Sequence, residues 1–360
     1  MAGIYLHIPF CHAKCAYCDF YSIGQRKHSA EYVDAVIEEY RRRRCELGEE
    51  PVTTLYFGGG TPSILSEQEI STLASELSTP EVEEFTIEVN PEDVTPQKVN
   101  AWLKAGVNRV SMGVQSLVDK ELNAVNRRHS ATEALAAIDL LQKSGIKNIS
   151  CDLIYGLPGQ TLDSWKFSLE NLLNKGIQHL SAYNLTIEEG TLLALRLKKG
   201  LIEEASDELV EQMYAALCTA TRDAGFNHYE ISNFAIPGYE SRHNSSYWDG
   251  TPYLGLGPGA HSLDIKGVRR FIEPDVKRYI AYAPSLLHVD AEDDIDRIND
   301  RIFTALRTSA GIASNEIPKE SIAVVKSFLN KGLLVRAGEG IRIPEEHFLI
   351  SDSISREIFV

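Results

Sequence analysis

The sequence has 360 residues, of which 43% are hydrophobic and 24% charged, with a formal net charge of -15. That balance describes an ordinary globular chain with room for a large core and a second domain. The acidic excess excludes a general affinity for nucleic acid or anionic lipid. No apolar run reaches the ~18 residues of a membrane span, and Met1 to Ile8 lacks a secretory pattern, so the chain is expected in the cytoplasm.

In chain order, short β-rich runs alternate with amphipathic helical patterns. "GIYLHI" (3–8) is the first predicted strand, stopped by Pro9, and a helix follows near 30–46. Its basic run Arg41 to Arg44 reads as a solvated face, and the lone Cys45, Cys151 and Cys218 as buried, inert thiols. "VTTLYF" (52–57), "FTIEV" (85–89), "NRVSMGV" (108–114), "NISCDLIY" (148–155) and "HLSAYNL" (179–185) are the next strands. Helices are predicted between them near 66–77, 97–105, 131–144 and 162–175. Gly106, Gly145 and Gly176 fall where helix C-cap glycines belong. Apolar strands joined by helices predict an α/β fold with a parallel sheet covered on both faces. Six such units are too few for a closed eight-unit barrel, which leaves a partial barrel or a doubly wound sheet.

Beyond residue 200 a long helix is predicted at 206–224, then a polar, aromatic and glycine-rich region at 228–262. There His243 reads as a loop histidine and 255–259 as a turn. The acidic "DAEDDID" (290–296) reads as a linker or an exposed helix start. The tail predicts helices near 297–307 and 319–331 and a hairpin turning at Gly338-Glu339-Gly340. This gives two expected domains, 1–285 and a small α+β winged-helix-like domain at 286–360. The latter lacks a basic recognition face, which counts against DNA as its partner.

The unusual residues fall at the C-terminal ends of strands. "CHAKCAYC" (11–18) follows the first strand and "GGGTPS" (58–63) the second. Glu88 and Asn90 close the third, Gln115 the fourth, Asp152 and "GLPGQT" (156–161) the fifth, and Asn184 and Thr186 the sixth. In parallel α/β sheets that edge holds the active site. Cys11, Cys15 and Cys18 are too crowded for a chance set of free thiols. A zinc site completed by His7 or His12 is one reading. The other is a cubane iron–sulfur cluster with one iron left open for a ligand. Gly58, Gly59 and Gly60 let the backbone approach a small molecule and offer it N–H donors. Arg127 suits a carboxylate or a surface ion pair, and Asp152 suits hydroxyls or an amine.

Cys-x3-Cys-x2-Cys with Tyr17 before the last cysteine, followed by "GGGTP", resembles the radical S-adenosylmethionine superfamily. "YFGGGTPS", "IEVNPE", "GVQS", "NRRHS", "DLIYGLPGQT" and "HYEISNFA" resemble its branch of oxygen-independent coproporphyrinogen oxidases and their haem-chaperone relatives. The resemblance spans the whole chain and implies a six-unit partial βα barrel. It also implies a [4Fe–4S] cluster on Cys11, Cys15 and Cys18, with S-adenosylmethionine on the fourth iron. Tyr5, Tyr17, Gly59, Gly60, Thr61, Glu88, Gln115, Arg127, Asp152 and Thr186 match cofactor-contact positions of the family. If the chain is catalytic, the family cleaves S-adenosylmethionine to a 5'-deoxyadenosyl radical.

Two departures separate it from the decarboxylating oxidases. Phe20 stands where their box has a fourth cysteine, and only ten residues precede Cys11. "HNSSYW" (243–248) resembles the haem-binding motif of the chaperones, which implies haem on His243, with His261 as a competing ligand. The implied function is haem delivery to haem-requiring apoproteins, including respiratory enzymes reached at the inner face of a membrane, with dimerisation among the roles of the cluster. The alternative is radical oxidative decarboxylation of coproporphyrinogen III.

Overall fold

A computed structural model describes residues 1–24, 26–282, 286–290 and 292–360. Six βα units open the chain. They comprise β1 (Ala2–Ile8), α1 (Ser29–Arg43), β2 (Val52–Gly59), α2 (Glu67–Leu77), β3 (Glu84–Val89), α3 (Pro96–Lys104), β4 (Arg109–Gln115), α4 (Asp119–Ala124), α5 (Ala131–Lys143), β5 (Asn148–Tyr155), α6 (Leu162–Leu173), β6 (His179–Asn184) and α7 (Leu192–Lys198). Next come α8 (Asp207–Asp223), β7 (Asn227–Glu230), β8 (Asn233–Ala235), α9 (Arg242–Asp249), β9 (Tyr253–Leu256), β10 (His261–Leu263), β11 (Arg269–Ile272), α10 (Val276–Tyr282) and β12 (Leu287–Val289). The tail holds α11 (Asp294–Leu306), β13 (Ile312–Ala313), α12 (Ile322–Lys331), β14 (Val335–Ala337), β15 (Gly340–Arg342) and α13 (Ser351–Arg356).

Strands β1 to β6 lie side by side and parallel, in sequence order. Apart from Tyr183 and Asn184 at the end of β6, their residues are buried almost without interruption, as a sheet covered on both faces requires. Ser66 with Glu69 and Ser130 with Glu133 form capping boxes that start α2 and α5. Each such cap contributes about 1 kcal/mol. Gly106, Gly145 and Gly176 all have positive φ, as helix-ending glycines. The strand ends therefore line up, and the loops that follow them converge on one edge. The sheet is open, with β9 parallel to β1 on one side and β8 antiparallel to β6 on the other.

The tail forms its own antiparallel sheet, ordered β13-β15-β14, with α11 beside β13. Asp293 and Asp296, from the acidic stretch, make the capping box of α11. The expected domain boundary at 285/286 touches residues 283–285, which lie outside the described residues, as does 291. Strand β12 just beyond it pairs with β11 of the large sheet.

Four expectations are corrected. Arg43 is buried, where its guanidinium bonds Glu39 and Glu46 and donates to the Gly255 carbonyl. Cys45 is exposed rather than buried. Residues 253–256 are strand β9, so Gly255 does not belong to a turn. A Cβ there would sit 1.9 Å from the His261 carbonyl oxygen, which is why the strand admits glycine. His243 stands on helix α9, not in a loop, because Ser241 caps the helix through the Asn244 N–H.

Candidate functional site

A cavity of about 430 Å³ opens at the C-terminal edge of β1–β6. It brings together Cys11, Cys15, Tyr17, Cys18, Gly59, Gly60, Thr61, Glu88, Gln115, Arg127, Asp152 and Thr186. Phe20 stands 66% exposed at its rim. Of the candidate site residues, Tyr5 and His243 do not line it.

The cysteine loop is fixed by its backbone. The Cys11 N–H donates to Ile23 O, Ile23 N–H returns to Pro9 O, and Ala16 N–H reaches Val125 O at 3.0 Å. Beneath it Ala16, Val125, Ile154, Leu157 and Leu193 make a small apolar cluster. The thiols thus project from a loop whose shape does not depend on them. Thr61 Oγ1 donates to Cys11 Sγ at 3.4 Å, and Arg127 Nη1 to Cys15 Sγ at 3.5 Å. Burial, reinforced by the neighbouring Cys15 and Cys11 against a bond from Phe20's backbone, pushes the Cys18 thiol up to about 11. A thiol that resists ionising needs a cationic core to become a ligand. The three sulfurs are not all within 4.8 Å of one another, so they are not gathered for a single ion. His7 engages Tyr21 O and Tyr5 Oη through its two ring nitrogens, and His12 leans on Asp93. Neither completes a zinc site, and the wider thiol triangle fits a multinuclear cluster.

The glycine loop differs from expectation in one respect. The Gly59 N–H donates to Glu88 Oε2 at 3.0 Å and the Gly60 N–H to Ile8 O at 2.8 Å. These donors serve the protein, not a ligand. Glycine is needed because a Cβ on Gly60 would meet the Phe10 and Ile8 carbonyl oxygens within 2.8 Å. Strand β2 can therefore press against the start of the cysteine loop.

Arg127 is the hub of the opposite wall. Its Nη2 donates to Asn90 Oδ1 at 2.9 Å and to the Gly113 carbonyl, while its Nε is buried without a partner among the described residues. Burial opposes its charge, but Tyr17, Cys15 and Glu92 together outweigh that and hold it protonated. Gln115 has φ of 66° at a register slip between β4 and β5, a conformation that turns it into the cavity. Asn90, which the sequence places at the strand edge, bridges Arg127 and Thr61. Ser111, which donates to Asp152, is a site residue that sequence reasoning missed. Asn90's signal was its place at the end of β3; Ser111 is mid-strand and carried none.

Burial raises the Asp152 carboxyl and, with Asp152 nearby, pushes Glu88 up to about 7, although Tyr56 and Gly59 donate to it. A raised carboxyl keeps its proton longer in the folded state. Its stabilising contribution is complete below the unfolded value near 4.5 and is lost as pH rises through about 7. Part of Glu88 faces the cavity, whose water softens the penalty, so about 1–2 kcal/mol is expected across that window. Asp152 shifts the same way. The test is thus the difference between wild type and Glu88→Gln in urea unfolding at pH 5 and pH 8, at equal iron content. Equal pH slopes in the two proteins would refute it.

His243, on α9, packs against Thr54 of β2 and Gly3 of β1 and is fully buried. Its Nδ1 is 2.8 Å from Thr54 Oγ1 and its Nε2 2.9 Å from Tyr247 Oη. Its ring stacks 5.1 Å from Tyr56 and 6.3 Å from Tyr5. Burial, with a smaller effect of Arg109, pushes it down to about 3 and keeps it neutral. Glu84 receives the Arg242 and His243 N–H groups on its two carboxylate oxygens, each at 3.0 Å, and so anchors the start of α9. His261, by contrast, is exposed, its ring 5.7 Å from Phe271.

Residues 5–172 match the model of the Radical SAM superfamily. The heme chaperone HemW of Lactococcus lactis is 35% identical over 86% of this chain and 82% of its own length. That of Bacillus subtilis is 32% identical over 98% of both. The chain belongs to the HemW family of radical SAM proteins. A solved structure of the Escherichia coli coproporphyrinogen III oxidase HemN shares the fold, with a TM-score of 0.84 and 23% identity over 100% of this chain and 90% of that one. HemW membership places the chain in a superfamily that implies a [4Fe–4S] cluster and S-adenosylmethionine, and the thiol set at the cavity fits that cluster. No helix among the described residues is long and apolar enough to cross a membrane.

Proposed function

We propose that this chain is a haem chaperone, which binds haem and delivers it to haem-requiring apoproteins. Likeness to a heme chaperone HemW over 98% of both chains carries the reading. Cys11, Cys15 and Cys18 would hold a [4Fe–4S] cluster, and Arg127, Asp152, Glu88 and Gln115 the S-adenosylmethionine beside it. When bound, that pair supplies one-electron reductive chemistry. The chain's part is to orient the cofactor between Thr61 and Arg127 and to limit water in the cavity. Tyr5 supports this wall from behind, with its ring against Gly58. Dimerisation and docking at the inner face of a membrane, beside respiratory apoproteins, complete the proposal.

Haem would be ligated by His243. Both of its ring nitrogens are engaged, so ligation requires α9 to move away from β2. The neutral imidazole is already the ligating form. The test is an anaerobic haem titration of cluster-loaded protein beside His243→Ala and His261→Ala. Near-stoichiometric binding that is lost in His243→Ala supports the proposal. Loss only in His261→Ala moves the ligand to the exposed ring, and no binding at all refutes the chaperone. Carbon dioxide released from coproporphyrinogen III at catalytic turnover would put the oxidase reading in its place.

A further inference from the structure

Outside the cavity, three donors of different chemistry meet from distant parts of the chain. Cys218 on α8, His228 on β7 and Glu345, in the turn before α13, offer ligand atoms that all lie within 4.8 Å of one another. Among the described residues no other group of three or more His, Cys, Asp or Glu side chains is as close. Cys218 is buried and the other two are half-buried, at the wall of a cleft of about 550 Å³.

The His228 and Glu345 side chains are held in place. The His228 ring stacks on Phe234 at 3.9 Å and meets Phe348 edge-on at 4.8 Å. Its Nε2 lies 3.3 Å from the Ile231 carbonyl, which can only accept, so Nε2 carries the hydrogen. The lone pair is then on Nδ1, which is buried and without a hydrogen-bond partner among the described residues. A buried acceptor left unpaired is costly, and an imidazole oriented through its other nitrogen is how proteins prepare a metal ligand. Glu345 is fixed by Arg222, whose Nη2 donates to Oε1 at 2.9 Å, and by Tyr214, whose Oη donates to its backbone carbonyl at 2.7 Å. The carboxylate's other oxygen remains for a ligand.

We propose that Cys218, His228 and Glu345 bind one divalent transition-metal ion, zinc by their donor set, with a water from the cleft as fourth ligand. A thiolate, a neutral imidazole and a carboxylate sum to two negative charges, which a dication balances. Sulfur, nitrogen and oxygen donors together suit zinc among the common divalent ions. On binding, the Cys218 thiol gives its proton to solvent as the Zn–S bond forms, with no change of oxidation state. The ion would join α8 and β7 to the segment that leads into α13, and so tie the end of the chain to the large sheet.

The test uses cluster-loaded protein given one equivalent of zinc in metal-free buffer, then desalted, with zinc and iron counted and the zinc K-edge spectrum recorded. The expected result is one zinc per chain with a single sulfur neighbour at about 2.3 Å. Cys218→Ala and Glu345→Gln should each lose the zinc and keep the iron. If Cys218→Ala fails to fold, Glu345→Gln decides, since the amide keeps an oxygen for Arg222 but removes the charge. No retained zinc, zinc that survives Glu345→Gln at full occupancy, or a spectrum with three sulfurs would overturn the proposal. The last would place the ion on Cys11, Cys15 and Cys18.

Discussion

Cys15→Ser should bring bound iron and the reductive cleavage of S-adenosylmethionine to background while leaving a folded protein. The expectation separates two things the cysteine loop does. Its shape is set by main-chain bonds, from Cys11 to Ile23 and from Ala16 to Val125, and by the apolar cluster under Ala16. None of these involves sulfur, so the loop survives the change. The serine hydroxyl is a hard donor that does not ionise near neutral pH, and it cannot replace a thiolate on iron. Asn90→Ala acts one step away. It removes the oxygen that holds Arg127 Nη2, and a loss of only about 10–100-fold is expected, as for other residues that orient a ligand. Iron content, visible absorption and a melting curve measured together are decisive. Cys15→Ser protein that keeps its iron would sink the cluster assignment. Protein that loses both iron and fold would show that the thiols also shape the loop.

The edge that carries this chemistry was legible in the sequence because a parallel strand announces its own C-terminal end. The apolar run stops and a glycine, proline or polar residue follows. Cys11, Gly59, Glu88, Gln115 and Asp152 were placed on one cavity wall by that rule alone. What stayed hidden depends on contacts between distant residues. Strand β9 exists because Gly255 can approach the His261 carbonyl and because β1 pairs with it across some 250 residues. Gly255 and the glycines just after it read locally as a turn. Helix α9 is anchored by Glu84, a carboxylate on β3 that no local pattern connects to Arg242. Even Gly59 and Gly60, at the end of β2, have a different reason from the one their sequence suggests. Their N–H groups look available in the sequence, yet the fold assigns them to Glu88 and Ile8. The arrangement of Cys218, His228 and Glu345 is a fourth case, since more than a hundred residues separate its ends.

Glu84→Ala should tighten apparent haem binding at His243 by about tenfold or more. This rests on the proposed haem site and on how α9 is closed. In the closed arrangement His243 is shielded, its nitrogens held by Thr54 and Tyr247 and its N–H by Glu84. A ligand that needs the open form has its affinity reduced by the fraction of molecules open. Glu84 makes two charge-assisted bonds to the first residues of α9, and such bonds contribute about 1.5–3 kcal/mol each. Removing even half of that raises the open fraction at least tenfold. The contacts of His243 with haem are untouched, because Glu84 lies on the side that α9 would leave. Tyr247→Phe is a milder companion, freeing Nε2 alone, and should give a smaller change of the same sign. Haem affinity and association rate, measured for both variants beside wild type, test the opening directly. If Glu84→Ala binds haem no better than wild type, the helix does not have to open, and haem is held by a residue already at the surface.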